Sequence, residues 1–316
     1  MAKEKQVFYG GQAVMEGVMM RGAKDYCIAV RNPKGEIENR SEKIAVSRFT
    51  QTLGKVPVLR GIVRLGSSMM VGYKVMTASM EMAGIDEVDG DETPSKFDMW
   101  LQRKLGDKLS TVLVVFAVIL SLAFSIALFM VLPTWLSGFL APLLGDNLWA
   151  LGIVEGLVRL LILITYLLLF SRLKDVKRLF QYHGAEHMVI NCHEAGEGLT
   201  AANAAKHSRL HKRCGTSFLL FVMLISMIFF LFVRTDEMWL RLLSRVLFVP
   251  FIAGVSFEVI RWAGISNSII VRILSWPGFM LQKITTAVPD EGQLEVAIAA
   301  FEGVLEAERA QDAETV

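Results

Sequence analysis

All five histidines of the chain fall between residues 183 and 211. Three of them, His183, His187 and His193, stand in "YHGAEHMVINCHEAGE" (182–197), and His207 and His211 follow. His183 and His187 are one helical turn apart, as are His207 and His211, so each pair can offer two ring nitrogens to one ion at ~2.0–2.1 Å. The first pair also reads H-x-x-E-H, the inverted zinc-peptidase order, in which two histidines hold zinc and the glutamate, here Glu186, polarises a water. That pattern needs a third ligand, for which His207, His211, Glu194 and Cys214 are the candidates. A single histidine in such a place more often satisfies hydrogen bonds in a polar hairpin near lipid headgroups. Five in one window favour a metal, and neutral imidazole suits zinc, iron, copper or nickel, with zinc first. His193, Cys192 and Cys214 taken singly read as structural.

The elements that would position these rings are helical. Leu173, Val176, Phe180, His183, His187 and Ile190 recur at three- and four-residue steps, which predicts a helix with both histidines on its apolar stripe. Gly196 and Gly198 mark its stop, and Thr200 can cap a second helix running through Lys212. In the resulting antiparallel hairpin, with its turn near residue 197, His187 and His207 lie at one height and His183 and His211 at another. Four imidazoles on one zinc would close it and imply a structural site, whereas three protein ligands plus water would leave a position for chemistry.

The hairpin sits between apolar runs. The chain is 53% hydrophobic and 20% charged over 316 residues, and the apolar residues are concentrated. Residues 110–132 and 216–233 carry no charge and are long enough to cross a ~30 Å bilayer core. Residues 148–170 contain only Glu155 and Arg159, an i,i+4 pair of opposite sign able to neutralise itself, and the charges of 239–262 lie toward its ends. This predicts four transmembrane helices. The segment 133–147, read as a loop, has no Lys or Arg, whereas 171–215 has eight, which puts both termini and the middle loop in the cytoplasm. No basic segment leads into an early apolar run, so no cleaved signal is expected. Cys27, Cys192 and Cys214 then all lie on the reducing side, against a disulfide framework. The net charge of +2, without a basic patch interleaved with aromatics, argues against a nucleic-acid partner.

The remaining segments divide as follows. Residues 1–50 read as a small cytoplasmic β-containing region, with "YCIAVRNPKGEIENR" as a hairpin turning at Asn32–Gly35. Within it "YGGQAVMEGVMMRG" (9–22) surrounds Glu16 with glycines. It reads first as a tightly packed strand and turn, but Glu16 could also lend a carboxylate to the histidines. It lacks the G-K-[ST] end of a phosphate loop. Residues 51–109 comprise an interfacial or cytoplasmic helix (56–84) and an acidic loop. Residues 263–316 comprise a membrane-surface segment broken at Pro277–Gly278 and a final helix from Pro289–Asp290, whose stripe of Leu294, Ala297, Ile298, Phe301 and Leu305 needs a partner surface. The fold class expected is mainly α: a four-helix transmembrane protein with a cytoplasmic helical hairpin and a small N-terminal β-containing region.

With "GGQAVMEGVMMRG", "YHGAEH", "RCGTSF" (213–218), "EVIRWAG" (258–264) and "PDEGQLEVAIAA" (289–300), the chain resembles the YqhQ-like family of bacterial membrane proteins over nearly its whole length. One departure is Met188, where the family pattern leads us to expect a lysine. The resemblance implies a multi-pass protein of the bacterial inner membrane and a metal, in keeping with the family's description as a predicted metal-dependent enzyme. It carries over no catalytic residue and no substrate.

Two functions compete. One is a metal-dependent hydrolase at the membrane surface, with metal on His183, His187 and one or both of His207 and His211, and Glu186 or Glu16 as general base. The other is a non-enzymatic factor that binds hydrophobic segments or other membrane proteins during insertion or assembly, with a structural metal. Nine of the sixteen methionines fall in the first 82 residues, and methionine-rich surfaces adapt to varied apolar partners. Transport along Glu155, Arg159 and Glu258 is a third reading, disfavoured by four spans without a repeat.

Overall fold

The computed structural model describes residues 9–44, 48–85, 109–144, 147–233, 238–266 and 268–314. The acidic stretch 87–98, expected to be a loop, lies outside them. The architecture is mainly helical, with four helices long and apolar enough to cross a membrane and a small N-terminal sheet. Two compact units are formed: Met1–Ile85, Tyr166–Ile225 and Val249–Val316 make one, and Asp86–Thr165 and Ser226–Phe248 the other.

The first unit is built on an antiparallel sheet of β1 (Gly10–Val14), β2 (Gly17–Arg21), β3 (Asp25–Arg31) and β4 (Ile37–Lys43), in chain order. The β1–β2 turn is two residues long, Met15 and Glu16, with Glu16 at φ 52°. The β3–β4 turn is the expected Asn32–Gly35 corner. Gly35 sits there at φ 86°, and the Asn32 Oδ1 accepts from the N–H groups of Lys34 and Glu36, both at 3.0 Å. Strands β2 and β3 read as continuous apolar runs because both of their faces are covered. Val18, Met20, Cys27 and Ala29 pack with Tyr182, Ala297 and Phe301, whereas Met19, Tyr26, Ile28 and Val30 pack with Val75.

The first of these layers is made by α6 (Lys174–Glu194) and α11 (Glu291–Glu314), the second by α2 (Leu59–Met82); α1 (Arg48–Leu53) precedes α2. The final helix starts at Asp290 as expected, through a reciprocal cap in which Gln293 N–H donates to Asp290 Oδ1 and Asp290 N–H to Gln293 Oε1. Its predicted stripe finds its partner surface in the sheet and α6. The helix expected over 56–84 is α2: its C-terminal half docks on the sheet, while Met69, Met70 and Tyr73 stay exposed.

The candidate spans are Val115–Leu140, Trp149–Phe170, Gly215–Phe232 and Leu243–Ile265, within α3 (Leu109–Ile126), α4 (Leu132–Leu144), α5 (Leu148–Phe170), α8 (Gly215–Phe232) and α9 (Met238–Ile265). All four agree with the expected spans. The first runs further than expected, since helix continues through Pro133 where a loop was read. A π-helical turn at Ala127–Val131, with Leu132 N–H donating to Ala127, joins α3 to α4 just before that proline. In the second unit the Glu155–Arg159 pair forms as its spacing predicts, at 2.9 Å. A partner not foreseen is Arg245, which also pairs with Glu155, and Thr134 donates to the same carboxylate at 3.2 Å. In the first unit Glu258, assigned to a polar path, is instead paired with Arg60. The expected break at Pro277–Gly278 is absent: α10 (Ile269–Thr285) is one helix, N-capped by Ser268.

Candidate metal centre

Helix α6 carries the site. His183, Glu186, His187 and Asn191 follow at three- and four-residue steps and share a face. That face is met by two segments. One is the extended chain after α10, which the helix can approach only because position 184 is glycine: a Cβ there would stand 2.2 Å from the Ala287 carbonyl oxygen. The other is the segment 205–214. The helix capped by Thr200 was expected to run to Lys212; it is a single turn, α7 (Ala201–Ala204). The reason lies in the backbone groups beyond it. Ser208 and Leu210 carbonyls accept from Asn191 Nδ2 at 2.6 and 3.2 Å, and Arg209 carbonyl from His187 Nδ1 at 2.6 Å. His211 N–H donates to Gln282 Oε1 and its carbonyl accepts from Gln282 Nε2, both at 2.9 Å. Side chains from outside the segment thus replace the bonds a second helix would have made.

The consequence is that the four imidazoles do not converge. His183 and His187 stay together, with ring centroids 4.5 Å apart, and Cys214 joins them. The ligand atoms of these three residues all lie within 4.8 Å of one another, and His183 Nε2 is 3.2 Å from Cys214 Sγ. His211 stands one layer out, its ring 5.6 Å from that of His187 and its Nε2 3.7 Å from Glu194. His207 belongs to a different cluster with Cys192 and Glu197. His193 is a packing residue between Tyr9 and Phe301. Glu16 is held by Arg178 and lies 3.4 Å from the Tyr182 hydroxyl, so its carboxylate is engaged away from the histidines. Glu194, also a ligand candidate, is engaged by His211 and Arg213, which hold it down to about 2.

The two rings of the triad are oriented alike. His183 Nδ1 meets the Thr285 carbonyl at 2.8 Å and His187 Nδ1 the Arg209 carbonyl. A carbonyl only accepts, so each Nδ1 carries the proton, and in the neutral ring each Nε2 keeps its lone pair for the space near the sulfur. This is the arrangement by which backbone carbonyls fix the tautomer and aim of metal-ligating histidines. His187 is buried, and burial holds it below the usual imidazole range, in the neutral form a ligand needs. Cys214 is buried at the start of α8, its sulfur accepting from Thr216 N–H at 3.4 Å. A tetrahedral zinc at ~2.0–2.3 Å from its ligands spaces donor atoms by about 3.3–3.6 Å. The three donors, all within 4.8 Å of one another, would hold one after adjustment of the side chains.

Glu186 lies beside them, buried, with Gly11 N–H bonded to it; burial pushes it up to about 7. A Cβ at Gly11 would stand 2.9 Å from its Cγ and Cδ, so the glycine admits the carboxylate. Triad and glutamate line one cavity of about 590 Å³, within the ~300–1,000 Å³ typical of ligand sites. A metal in such an N₂S set has three protein ligands and one position left, with a carboxylate close by. Sequence reasoning put Cys214 among the third-ligand candidates without choosing it. It missed Gln282, Thr285 and Arg209, which orient the site from distant segments.

Sheet-based unit and apolar spans together define a multi-span membrane protein, and its histidine–cysteine group is of a kind that could hold a metal ion. Residues 56–307 match a family described as "Protein of unknown function (DUF1385)", and the chain belongs to that family. It is similar to "Uncharacterized protein YqhQ" of Bacillus subtilis (strain 168), with 37% identity over 302 residues covering 95% of this chain and 93% of the relative. The resemblance read from the motifs is borne out. No solved structure matches.

Proposed function

We propose that this protein is a metal-dependent hydrolase at the cytoplasmic face of a bacterial inner membrane, with His183, His187 and Cys214 as ligands of a divalent cation, most simply zinc. The observation that carries this reading is the three-donor group sharing a cavity wall with Glu186. A divalent ion there supplies Lewis-acid polarisation of water or of a substrate carbonyl or phosphoryl oxygen. The chain's own residues do the rest. The Thr285 and Arg209 carbonyls hold the ligating tautomers, and the Glu186 carboxylate, poised near neutrality by burial, takes and returns the proton. The cytoplasmic side is supported by the Lys and Arg excess of 171–215 over 133–147, and by three free cysteines.

Cobalt(II) substitution tests the reading. Intense thiolate-to-cobalt absorption that disappears in Cys214→Ser, with bands that shift on adding azide or a hydroxamate, is expected for an open N₂S site. Bands insensitive to any added ligand would instead mean a closed, structural metal. That outcome favours the second reading, a factor that binds hydrophobic segments, for which the exposed Met69, Met70 and Tyr73 of α2 offer a surface.

A further inference from the structure

Three arginines line the same cavity; Arg213 is paired with Glu194, and the other two are not used by the metal centre. These are Arg21, at the end of β2, and Arg64, on α2. Among the described residues neither makes an ion pair with a carboxylate; Arg64 only lies over the Phe257 ring, 5.8 Å from its centroid. They face each other as like charges: burial first, and then the neighbouring Arg64, hold Arg21 below the usual guanidinium range. Two unpaired guanidinium groups on one wall call for an anion, and their planar donor forks suit a phosphate.

Beside polar groups such as Gln12, Ser68 and Glu186, the lining has an apolar part. Leu65 and Val71 of α2, Leu179 of α6, Phe218 of α8, and Phe257 and Ile260 of α9 are apolar. Phe218, Phe257 and Ile260 belong to candidate membrane spans, so part of the wall is made by helices long and apolar enough to cross a bilayer. A ligand reaching this cavity can keep an acyl chain against apolar side chains while its charged head meets the arginines.

We infer that the cavity receives an anionic membrane glycerophospholipid, with its phosphate on Arg21 and Arg64 and an acyl chain along Phe218, Phe257 and Ile260. As a substrate class for the metal centre this rests on the hydrolase reading above; as a binding site it rests on the arginines and the apolar wall alone.

The test is lipid retention by the full chain in nanodiscs of mixed phosphatidylglycerol and phosphatidylcholine, read by native mass spectrometry after mild delipidation. The expected result is about one phosphatidylglycerol retained per protein, falling at least tenfold in Arg21→Gln/Arg64→Gln and unchanged in His183→Ala/His187→Ala. Arg21→Lys/Arg64→Lys keeps the charge and guards against misfolding; it is expected to retain phosphatidylglycerol at a reduced level, with an unchanged melting temperature. Equal retention of the two lipids, or retention indifferent to the glutamine pair, overturns the inference. So does displacement of the lipid by millimolar inorganic phosphate, which would assign the arginines to a soluble phosphate compound. Arginine-dependent retention in a protein that binds no metal would leave the lipid site standing and remove the hydrolase reading.

Discussion

Gly184→Ala tests how the site is assembled without touching a ligand. The added methyl would stand 2.2 Å from the Ala287 carbonyl oxygen and 3.5 Å from Pro289 Cδ. Ordinary contact begins near 3.4 Å, so α6 and the 285–289 segment must separate by about 1.2 Å. That segment is held by Ala287 N–H on the Phe180 carbonyl at 2.8 Å and by Arg209 Nη1 on the Thr286 carbonyl at 3.0 Å, and Thr285 orients His183. Overpacking costs about 1–3 kcal/mol, and one or two weakened hydrogen bonds add about 0.5–1.5 kcal/mol each, giving about 1.5–6 kcal/mol in all. For a unit of this size that lowers the melting temperature by roughly 10 °C. The assay is intrinsic tryptophan fluorescence on heating in detergent, with metal content measured on the same sample. Gly66→Ala, in α2 with open space around it, is the control and is expected to stabilise by about 0.5–1 kcal/mol. A Gly184→Ala protein that melts with the wild type and binds metal equally would refute the close approach and the role given to Thr285.

Three further outcomes are expected. Glu155→Gln leaves the buried Arg159 and Arg245 without their shared carboxylate, and should destabilise the protein by about 3–5 kcal/mol in a nanodisc melt; a loss below about 1 kcal/mol would contradict the geometry. Gln282→Leu strips partners from the His211 N–H and carbonyl and from Ser217, costing about 2–4 kcal/mol, with proteolysis at 205–214 accelerated as the readout. Glu194 is held down to about 2, chiefly by the neighbouring His211 and then by Arg213. Its folded-state value lies below its unfolded one, so its contribution is present above about pH 4.5 and lost as pH falls through about 2. The stability gap between wild type and Glu194→Gln should narrow over that window, and a gap independent of pH would argue against the pairing.

Much of the fold was legible because its signals are local. Eighteen uncharged residues must span or be buried, Asn32–Gly35 must turn, and the stripe of α11 must find a cover. The continuation of the first span past Pro133 was not legible, since a proline after an apolar run reads equally as its end. The site was half legible. His183, Glu186 and His187 share a helix face by spacing alone, but the spacing of His207 and His211 mimics a second helix. Only the tertiary partners Asn191, His187 and Gln282 show why residues 205–214 do not form one. For the same reason Cys214 is indistinguishable in sequence from a structural cysteine: its role depends on where that irregular segment returns to α6.

The most direct measurement is elemental analysis of the detergent-purified protein beside His183→Ala/His187→Ala and Cys214→Ser, after reconstitution with zinc, iron or manganese. Near-stoichiometric metal in the wild type, absent from the double variant and sharply reduced in Cys214→Ser, is the result predicted. No metal in the wild type under any of these conditions, or full occupancy in the double variant, would contradict the centre.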